Sequence, residues 1–572
     1  MNILGLSCYY HDSAAALLKD GQLVAAAEEE RFSRKKHDFG FPKLAVDYCL
    51  KEGGITIEDV DHIVFYEKPG VKFMRIVEMY GYTWPMSAAS FYKAIPLWLK
   101  SRLWMRTDIQ KQLGVEDKEI LFGEHHMSHA ASAFLVSPYE KACILTLDGV
   151  GEWATTARGY GDGTKIVLED QLSFPHSIGL LYSAITAYLG FRVNDAEWKV
   201  MGLAPYGKPT YVEQFEQLVD IRDDGSFRLN MKYFSHHYSS KRMFNSKFER
   251  LFGRKQRLPE SELEDFHRDI AHSGQKIVER IIVNLARATQ QKYGLKDLVI
   301  AGGVGLNSVA NWRILDETDF ERVWIQPAAG DSGGAVGAAF YIWNTVLGNP
   351  RSYVMNHAYL GPEYSNDECE RVLIERKVPY EKYDRAELVK RSAQHVADEK
   401  VIGWYQGRLE FGPRALGSRS IIASPMNLQM KDIINAKIKF REKFRPFAPA
   451  VLLEEAHKYF EMEEGLELPY MLMVPKVRAE VRDKIPAVTH EDGTGRVQTV
   501  TKRDNALYYD MISEFSKISG VPVVVNTSFN VRGEPIVNTP DNALNCFLKT
   551  GMDVLVLGNC IVDKSQIEGD LV

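Results

Sequence analysis

Cysteine is sparse in this chain of 572 residues, and its spacing argues against two common structural devices. The six cysteines form no CxxC pair, so we expect neither a zinc ribbon nor a disulfide framework. The sequence also lacks an apolar run of about 18 residues that could cross a membrane. Its first residues lack the basic start of a signal peptide and are typical of a strand. We therefore expect a cytoplasmic protein with no membrane partner.

An excess of positive charge is missing as well. Lys and Arg number 70 against 76 Asp and Glu, a net charge of −6, so the composition gives no electrostatic reason to expect nucleic-acid binding. Hydrophobic residues make up 45% of the chain, which excludes disorder over most of its length. The length predicts roughly two to four domains, and a homodimer is a reasonable expectation for the oligomeric state.

Two stretches share a strand–turn–strand–turn–strand pattern. Residues 3–28 and 144–169 alternate short apolar runs with polar turns, including the Asp-Gly turns that join hairpin strands. This repetition predicts a duplicated unit. Segments 298–307 and 323–343 have the strand–glycine turn–helix form that binds phosphates or nucleosides at a helix N-terminus. Neither matches the GxGxxG or P-loop pattern, so they identify no specific nucleotide.

Turn residues cluster between residues 348 and 362, where the character of the chain changes. Beyond this point, arginines occur among glycines and prolines. We place a domain boundary there and predict α/β folds on both sides, with residues 1–355 in the first domain and 356–572 in the second.

A pair of histidines marks a candidate metal site. His125 and His129 are four residues apart in an expected helix, which places both imidazoles on one face. Asp148 and Asp331 each lie in a glycine-flanked turn after a strand and are candidate partners. Two nitrogens and two carboxylates suit a divalent ion, with iron, manganese and zinc all open. The alternative is an incidental histidine pair with two aspartates that stabilise turns or helix ends.

Cations are concentrated in the second part of the chain. Arg408, Arg414 and Arg419 lie within twelve residues, and Lys443 and Arg445 follow them. One guanidinium group can donate two parallel hydrogen bonds to two oxygens of a phosphate. Because the chain as a whole is acidic, we expect a small phosphate or carboxylate here rather than a polynucleotide. A solvated basic face is the alternative.

Segment 72–106 mixes aromatic and basic residues. It contains Trp84, Trp98 and Trp104 together with several lysines and arginines. One interpretation is a pair of helical insertions packed on the first domain, since aromatic residues usually pack. The other is a cap over an acceptor site.

Ten further motifs occur in order along nearly the whole chain. They are HDSAAALL (11–18), AAEEERFSRKKH (26–37), EHHMSHAASAF (124–134), LDGVGEWATT (147–156), KVMGLAPYG (199–207), AGGVGLN (301–307), AAGDSGGAVGAA (328–339), GPRALGSRS (412–420), KFRPFAPAVL (443–452) and NTSFNVRGEPIV (526–537). By these ten motifs the chain resembles the O-carbamoyltransferases of the NodU/CmcH/TobZ family.

The resemblance implies a fold and a reaction. The first domain would be related to TsaD, with the duplicated actin/sugar-kinase/heat-shock (ribonuclease-H-like) fold, and the second would be YrdC-like. Family members use carbamoyl phosphate and ATP, with Mg²⁺, to form a carbamoyl-adenylate in the second domain. A hydroxyl of a small-molecule acceptor, a natural product or sugar, then attacks this intermediate in the first domain. The implied metal is Fe²⁺, other divalent ions being possible, and its implied ligands are His125, His129, Asp148 and Asp331.

The resemblance also implies roles for other residues. His11 corresponds to the candidate general base, a role that suits an imidazole; a turn histidine bonded to the backbone is the alternative. Binding of carbamoyl phosphate and ATP would fall to Arg414, Arg419, Lys443, Arg445, Arg496, Asn526, Ser528 and Arg532. Binding of the carbamoyl-adenylate would fall to Lys199, Gly302, Gly303, Asn307, Gly330 and Gly333. The chain departs from YrdC proteins at Phe444, between the two cations, and at NTSFN in place of Ser-Ala-Asn.

Other functions stay open at this point. Carbamoyl transfer to a protein thiol, as in HypF, would come with an acylphosphatase domain and CxxC pairs, and transfer to tRNA with a more basic surface. A non-catalytic ATP-binding module is a further alternative. The sequence does not identify the acceptor, since one fold serves many substrates.

Overall fold

The computed structural model describes residues 1–567, which divide into two units. Unit 1 contains Met1–Glu29 and His37–Met355, and unit 2 contains Glu30–Lys36 and the chain from Asn356 onward. No helix of the described chain is both long enough and apolar enough to cross a bilayer.

Segment 30–36 was not expected in unit 2, because the predicted division assigned every residue before 356 to the first domain. It contains one helical turn, Glu30–Ser33. Its arginines anchor it to unit 2: Arg31 donates to the carbonyl oxygen of Gly412 at 2.7 Å, and Arg34 donates to that of Pro535 at 2.8 Å. A sequence pattern shows no such long-range hydrogen bonds.

Unit 1 contains two five-stranded sheets with the same strand order. The first sheet consists of β1 (Asn2–Ser7), β2 (Ala14–Lys19), β3 (Gln22–Glu28), β4 (His62–Phe65) and β5 (Ile120–Phe122), in the order β3-β2-β1-β4-β5. The second consists of β6 (Lys141–Leu147), β7 (Ala154–Asp162), β8 (Lys165–Ser173), β11 (Asp297–Ala301) and β12 (Arg322–Ile325), in the order β8-β7-β6-β11-β12. Strands β9 (Val219–Ile221) and β10 (Phe227–Leu229) form a separate pair.

The two sheets also share strand directions. In each sheet the first three strands along the chain pair antiparallel with one another. The fourth strand pairs parallel with the first, and the fifth pairs parallel with the fourth. The predicted duplication and the α/β fold class are therefore confirmed.

Twelve α-helices complete the described part of unit 1. They are α1 (Lys43–Gly53), α2 (Pro69–Tyr82), α3 (Ala88–Lys100), α4 (Met105–Leu113), α5 (His125–Phe134), α6 (Ile178–Tyr188), α7 (Glu197–Leu203), α8 (Val212–Glu216), α9 (Ser246–Phe252), α10 (Asp265–Tyr293), α11 (Ser308–Glu317) and α12 (Asp331–Phe340).

Helices α5 and α12 form the centre of unit 1. Helix α12 packs on β1 and β2, α5 packs on β6 and β11, and the two helices pack on each other. A Cβ atom on Gly337 would overlap the carbonyl oxygen of Ser128, so only glycine permits this close approach. As a result the first residues of the two helices, His125 and Asp331, lie side by side.

Unit 2 is built on one eight-stranded mixed sheet, in the order β13-β20-β19-β14-β15-β18-β16-β17. Its strands are β13 (Glu381–Lys382), β14 (Ile402–Tyr405), β15 (Arg419–Ala423), β16 (Ala448–Leu452), β17 (Gln498–Val500), β18 (Val523–Ser528), β19 (Val554–Leu557) and β20 (Cys560–Asp563). Its longer helices are α13 (Asn366–Glu375), α14 (Arg385–Ala397), α15 (Met430–Ile434), α16 (Leu453–Tyr459), α17 (Ala506–Ser519) and α18 (Pro540–Leu548).

Candidate functional site

The candidate metal ligands lie at the carboxyl ends of the parallel strands in both sheets of unit 1. Asp148 directly follows β6, and Asp331 begins the helix after β12. The histidines belong to α5, which follows β5. Open α/β sheets bind ligands at these ends, because there the backbone turns away from the sheet and leaves a crevice.

The four predicted ligands converge in the structure. Nε2 of His125 lies 3.1 Å from Asp148 Oδ2 and 3.7 Å from Asp331 Oδ1. Nε2 of His129 lies 3.6 Å from Asp331 Oδ1 and 3.1 Å from Nε2 of His125. One ligand atom from each residue falls within 4.8 Å of the others, and both imidazoles are fully buried.

Three neighbours hold these ligands in orientation. Glu67 Oε2 accepts from Nδ1 of His125 at 3.1 Å, the Tyr66 hydroxyl donates to Asp331 at 3.1 Å, and the Gly303 N–H donates to Asp148 at 3.0 Å. Partners of this kind fix the ring orientation of metal-binding histidines. Sequence reasoning missed Glu67 and Tyr66, although both follow β4 as Asp148 follows β6.

The members of this ligand set shift one another's pKa values. Burial lowers the pKa of His125, but its hydrogen bonds to Asp148 and Glu67 outweigh burial and hold the pKa well above its usual value. Burial raises the pKa of Asp148, but the imidazoles hold it well below its usual value. Two imidazole nitrogens that face each other at 3.1 Å need a hydrogen atom on one of them or a cation between them. The donor set therefore fits a divalent ion.

His11 belongs to a second cluster, after β1. Its Nδ1 lies 2.8 Å from Asp12, and its Nε2 lies 2.8 Å from the carbonyl oxygen of Asn194. The other oxygen of Asp12 lies 2.7 Å from Nδ1 of His37, whose Nε2 is 2.8 Å from Asp195. Sequence reasoning did not single out Asp12, His37 or Asp195 as site residues.

The contacts of His11 define its protonation state. Carboxylate and carbonyl oxygens only accept hydrogen bonds, so both ring nitrogens of His11 donate and the ring carries a positive charge. Burial lowers the pKa of His11, but the hydrogen bond to Asp12 and the charges of Asp12 and Asp331 raise it to about 10. The structure thus combines the two interpretations of His11: it is bonded to backbone, and it carries a proton that it must lose before it can act as a base.

The predicted adenylate-binding residues fall into three groups. Gly302, Gly303 and Gly330 border the ligand set: the Gly302 N–H donates to the Ala329 carbonyl at 2.7 Å, and Gly330 precedes Asp331. Asn307 caps α11 and exchanges hydrogen bonds with Gln275 at 3.1 and 3.2 Å. Gly333 lies in α12, and Lys199 in α7, with its ammonium over the ring of Phe191.

Unit 2 contains a cluster of guanidinium groups. Burial and the charges of Arg441, Arg496 and Arg532 lower the pKa of Arg445 to about 8. Burial and the charges of Arg414 and Arg441 lower that of Arg496 as well. Glu442 approaches Arg445 and Arg532 at 3.9 and 4.0 Å. Four members were predicted, and Arg441 was not assigned a role. An anion bound among these partly buried cations would relieve their mutual repulsion.

Two predicted cations do not join this cluster. Arg419 is fully buried, donates to the Gln406 carbonyl at 2.6 Å and stacks on Tyr405. It is therefore engaged with the protein itself, and this does not support phosphate binding by Arg419. Lys443 is exposed, whereas Lys439 is buried, a residue that sequence reasoning missed.

Lys439 contacts one of the two predicted polar residues of β18, Ser528. Its ammonium donates to the carbonyl oxygen of Ser528 and, at 2.8 Å, to Asn530 Oδ1. Ser528 Oγ donates to the same Asn530 oxygen at 2.7 Å. Asn526 is buried and donates to Gln498 at 2.8 Å, while its own Oδ1 has no partner in the described chain.

Comparison with known proteins places the chain in a family. The models "Carbamoyltransferase N-terminus" and "Carbamoyltransferase C-terminus" match residues 2–340 and 393–564. The chain is 37% identical to "Nodulation protein NolNO" of Sinorhizobium fredii over 97% of this chain and 79% of that protein. It is 47% identical to "Uncharacterized protein sll1178" of Synechocystis, over 99% and 97%.

Solved structures give weaker matches. The crystal structure of Thermococcus kodakarensis HypF is 15% identical with a TM-score of 0.31, covering 59% of this chain and 47% of HypF. That of component A of (R)-2-hydroxyglutaryl-CoA dehydratase from Acidaminococcus fermentans is 14% identical with a TM-score of 0.31, covering 60% and 97%. The two family models cover both halves of the molecule, and the chain belongs to the carbamoyltransferase family.

Proposed function

We propose that this protein is an ATP-dependent O-carbamoyltransferase that acts on a hydroxyl of a small-molecule acceptor. The observation that carries the proposal is the convergence of two histidines and two aspartates at the strand ends of unit 1. The guanidinium cluster of unit 2 supports it, because the proposed substrates are phosphates.

Unit 2 would form the activated intermediate. Carbamoyl phosphate reacts with water to give carbamate and phosphate, and a carbamate oxygen then attacks the α-phosphate of ATP. A P–O bond to the carbamate forms, the bond to the β-phosphate breaks, and pyrophosphate leaves. Arg445, Arg496 and Arg532 would hold the phosphate oxygens, since their charges repel one another until an anion binds.

Unit 1 would transfer the carbamoyl group. The acceptor oxygen bonds to the carbamoyl carbon, the bond to AMP breaks, and the hydroxyl proton passes to a base. His125, His129, Asp148 and Asp331 would hold Fe²⁺ or another divalent ion, which supplies positive charge for the departing phosphate. His11 would first lose the proton on its Nε2 and would then take the proton of the acceptor hydroxyl. Neutralisation of the charge on Asp331 would favour the first step, because that charge raises the pKa of His11.

Isotope exchange separates the two steps. Purified protein should exchange labelled pyrophosphate into ATP only when carbamoyl phosphate is present. We expect Arg496→Met to abolish the exchange. Asp331→Asn should preserve it but abolish carbamoylation of a panel of small alcohols, which mass spectrometry detects.

The matched control is Arg371→Met, which removes an exposed arginine of unit 2. It should leave the exchange unchanged. Exchange that is independent of carbamoyl phosphate would contradict the proposal. Normal exchange with a carbamoylated protein or tRNA as the product would instead assign a different acceptor.

A further inference from the structure

Segment 69–104 has an unusual surface. Ten of the 22 exposed large apolar side chains in the described chain lie within it. They include Tyr82, Tyr92 and Trp104, whose exposed fractions are 83%, 71% and 63%. Folded monomers rarely leave so much apolar surface uncovered without a binding role. The packed-insertion interpretation explains the inner side of these helices but not this outer side.

Helix α2 is inverted relative to an ordinary surface helix. It buries Lys72 and Arg75 and exposes Val71 and Met74. The buried cations have specific partners: Lys72 lies 2.8 Å from Glu67, and Arg75 donates to the Gly151 carbonyl at 2.8 Å. Both buried cations of α2 thus have partners inside unit 1, and the outer face of the helix carries apolar side chains and the acid Glu78.

Helix α3 packs beside α2 and continues the same surface. Its exposed residues include Tyr92, Pro96 and Leu99 and, one position later, Lys93, Leu97 and Lys100; because the spacing within each set is four and three, both sets lie on one side of the helix. Trp84 in the preceding loop and Trp104 in the following turn are also exposed. We call the exposed residues of 69–104 the aromatic–basic face.

Charge distinguishes the possible occupants of this face. Within this face helix α3 exposes Lys93 and Lys100 and contains no acidic residue, and the exposed acid of segment 69–104 is Glu78 on α2, although the chain as a whole has a net charge of −6. A symmetric dimer through this face would set the same cations against one another. An anionic surface would pair with them, while tryptophan and tyrosine side chains favour the boundary between lipid headgroups and acyl chains.

We propose that the aromatic–basic face docks unit 1 on an anionic lipid bilayer. The helices lie on the surface and do not span it, so the missing long apolar run is no obstacle. This departs from the expectation of no membrane partner, which rested on that missing run. Lysine stems lie along the acyl boundary with their ammonium groups at the headgroups.

Vesicle binding of the full chain tests the proposal. We expect sedimentation with vesicles that contain about 30% phosphatidylglycerol, no binding to pure phosphatidylcholine, and weaker binding when the salt rises from about 0.1 to 0.5 M. The variant Lys93→Glu/Lys100→Glu should partition at least about tenfold more weakly. The control Lys165→Glu/Lys255→Glu makes the same charge change at exposed lysines elsewhere in unit 1 and should bind normally.

Two outcomes would overturn the proposal. One is equal loss of binding in the control variant, which would show a general charge effect. The other is the absence of vesicle binding by the wild-type protein. If that protein is dimeric in sedimentation velocity and Leu97→Asp is monomeric, the face is assigned to a second copy. Circular dichroism checks that each variant is folded, and the substituted side chains are exposed, so loss of fold is not expected.

Discussion

Replacing Glu67 with glutamine tests whether this buried carboxylate orients His125 as a metal ligand. Oε2 of Glu67 lies 3.1 Å from His125 Nδ1 and 2.8 Å from the ammonium of Lys72. Glutamine keeps the shape but removes the charge that makes the imidazole a stronger ligand. Loss of such a partner costs about 10–100-fold in metal affinity, or about 1.4–2.7 kcal/mol of binding free energy.

The same substitution leaves Lys72 without its carboxylate. The Lys72 side chain is only 9% exposed, so Glu67→Gln should also lower the free energy of unfolding by about 3–5 kcal/mol. The double variant Glu67→Gln/Lys72→Met removes both charges. It should recover most of the stability and none of the metal affinity, which separates orientation of the ligand from folding.

Two measurements check this prediction. Competition with a chromogenic chelator gives the affinity for Zn²⁺ or Co²⁺, and urea unfolding of the metal-free protein gives the stability. The control Lys72→Met keeps the hydrogen bond between Glu67 and His125 and should bind metal nearly as the wild type does. Wild-type affinity in the double variant would refute the reasoning, because His125 would then be oriented without Glu67.

Three further predictions follow from the charges of the two units. Asp331→Asn removes one carboxylate of the candidate metal set and should weaken divalent-metal binding by at least about a hundredfold; unchanged affinity in the chelator assay would contradict the ligand set. Arg445→Met relieves repulsion among partly buried guanidinium groups, so it should raise stability by about 1 kcal/mol while it lowers pyrophosphate exchange; a fall in both would argue against an anion site. His11→Gln should destabilise the protein by about 1.5–3 kcal/mol below pH 6.5, and the difference should vanish as the pH rises toward 10, because the folded protein holds the proton of His11 more tightly than the unfolded chain; a constant difference in urea unfolding up to that pH would contradict the raised pKa.

Local rules predicted part of the candidate metal set, and the family resemblance implied that its four residues belong together. Two histidines four residues apart share a helix face, and Asp148, directly after β6, lies at the sheet edge, whereas Asp331 begins the helix after β12. The duplicated pattern then brings two such edges together in unit 1. Glu67 obeys the same rule after β4, so the sequence contained the signal that could have found it.

Arg419 shows why composition misleads within an arginine-rich stretch. It begins β15, a fully buried strand, and its guanidinium donates to the backbone carbonyls of Gln406 and Pro362, which lie 13 and 57 residues away along the chain. Arg414, only five residues earlier, is half-buried, and burial lowers its pKa to about 10. Both residues follow a glycine by two positions in the same stretch, GPRALGSRS, so the sequence does not separate their roles. Only the path of the strand separates the arginine that supports the fold from the one that can meet an anion.

The backbone explains why Lys439 is buried in unit 2 while the predicted Lys443 is exposed. Residues Asn435–Lys439 form a widened helical turn, and Phe440 then adopts a left-handed conformation with φ of 48°. Such a conformation is uncommon for a bulky residue, so no propensity rule predicts it at this position. It ends the helix one residue after Lys439, which leaves that ammonium buried against Ser528 and Asn530, whereas Lys443 lies beyond the turn and is exposed. A single unusual dihedral therefore decides which of two lysines, one turn apart in the sequence, belongs to the polar network of β18.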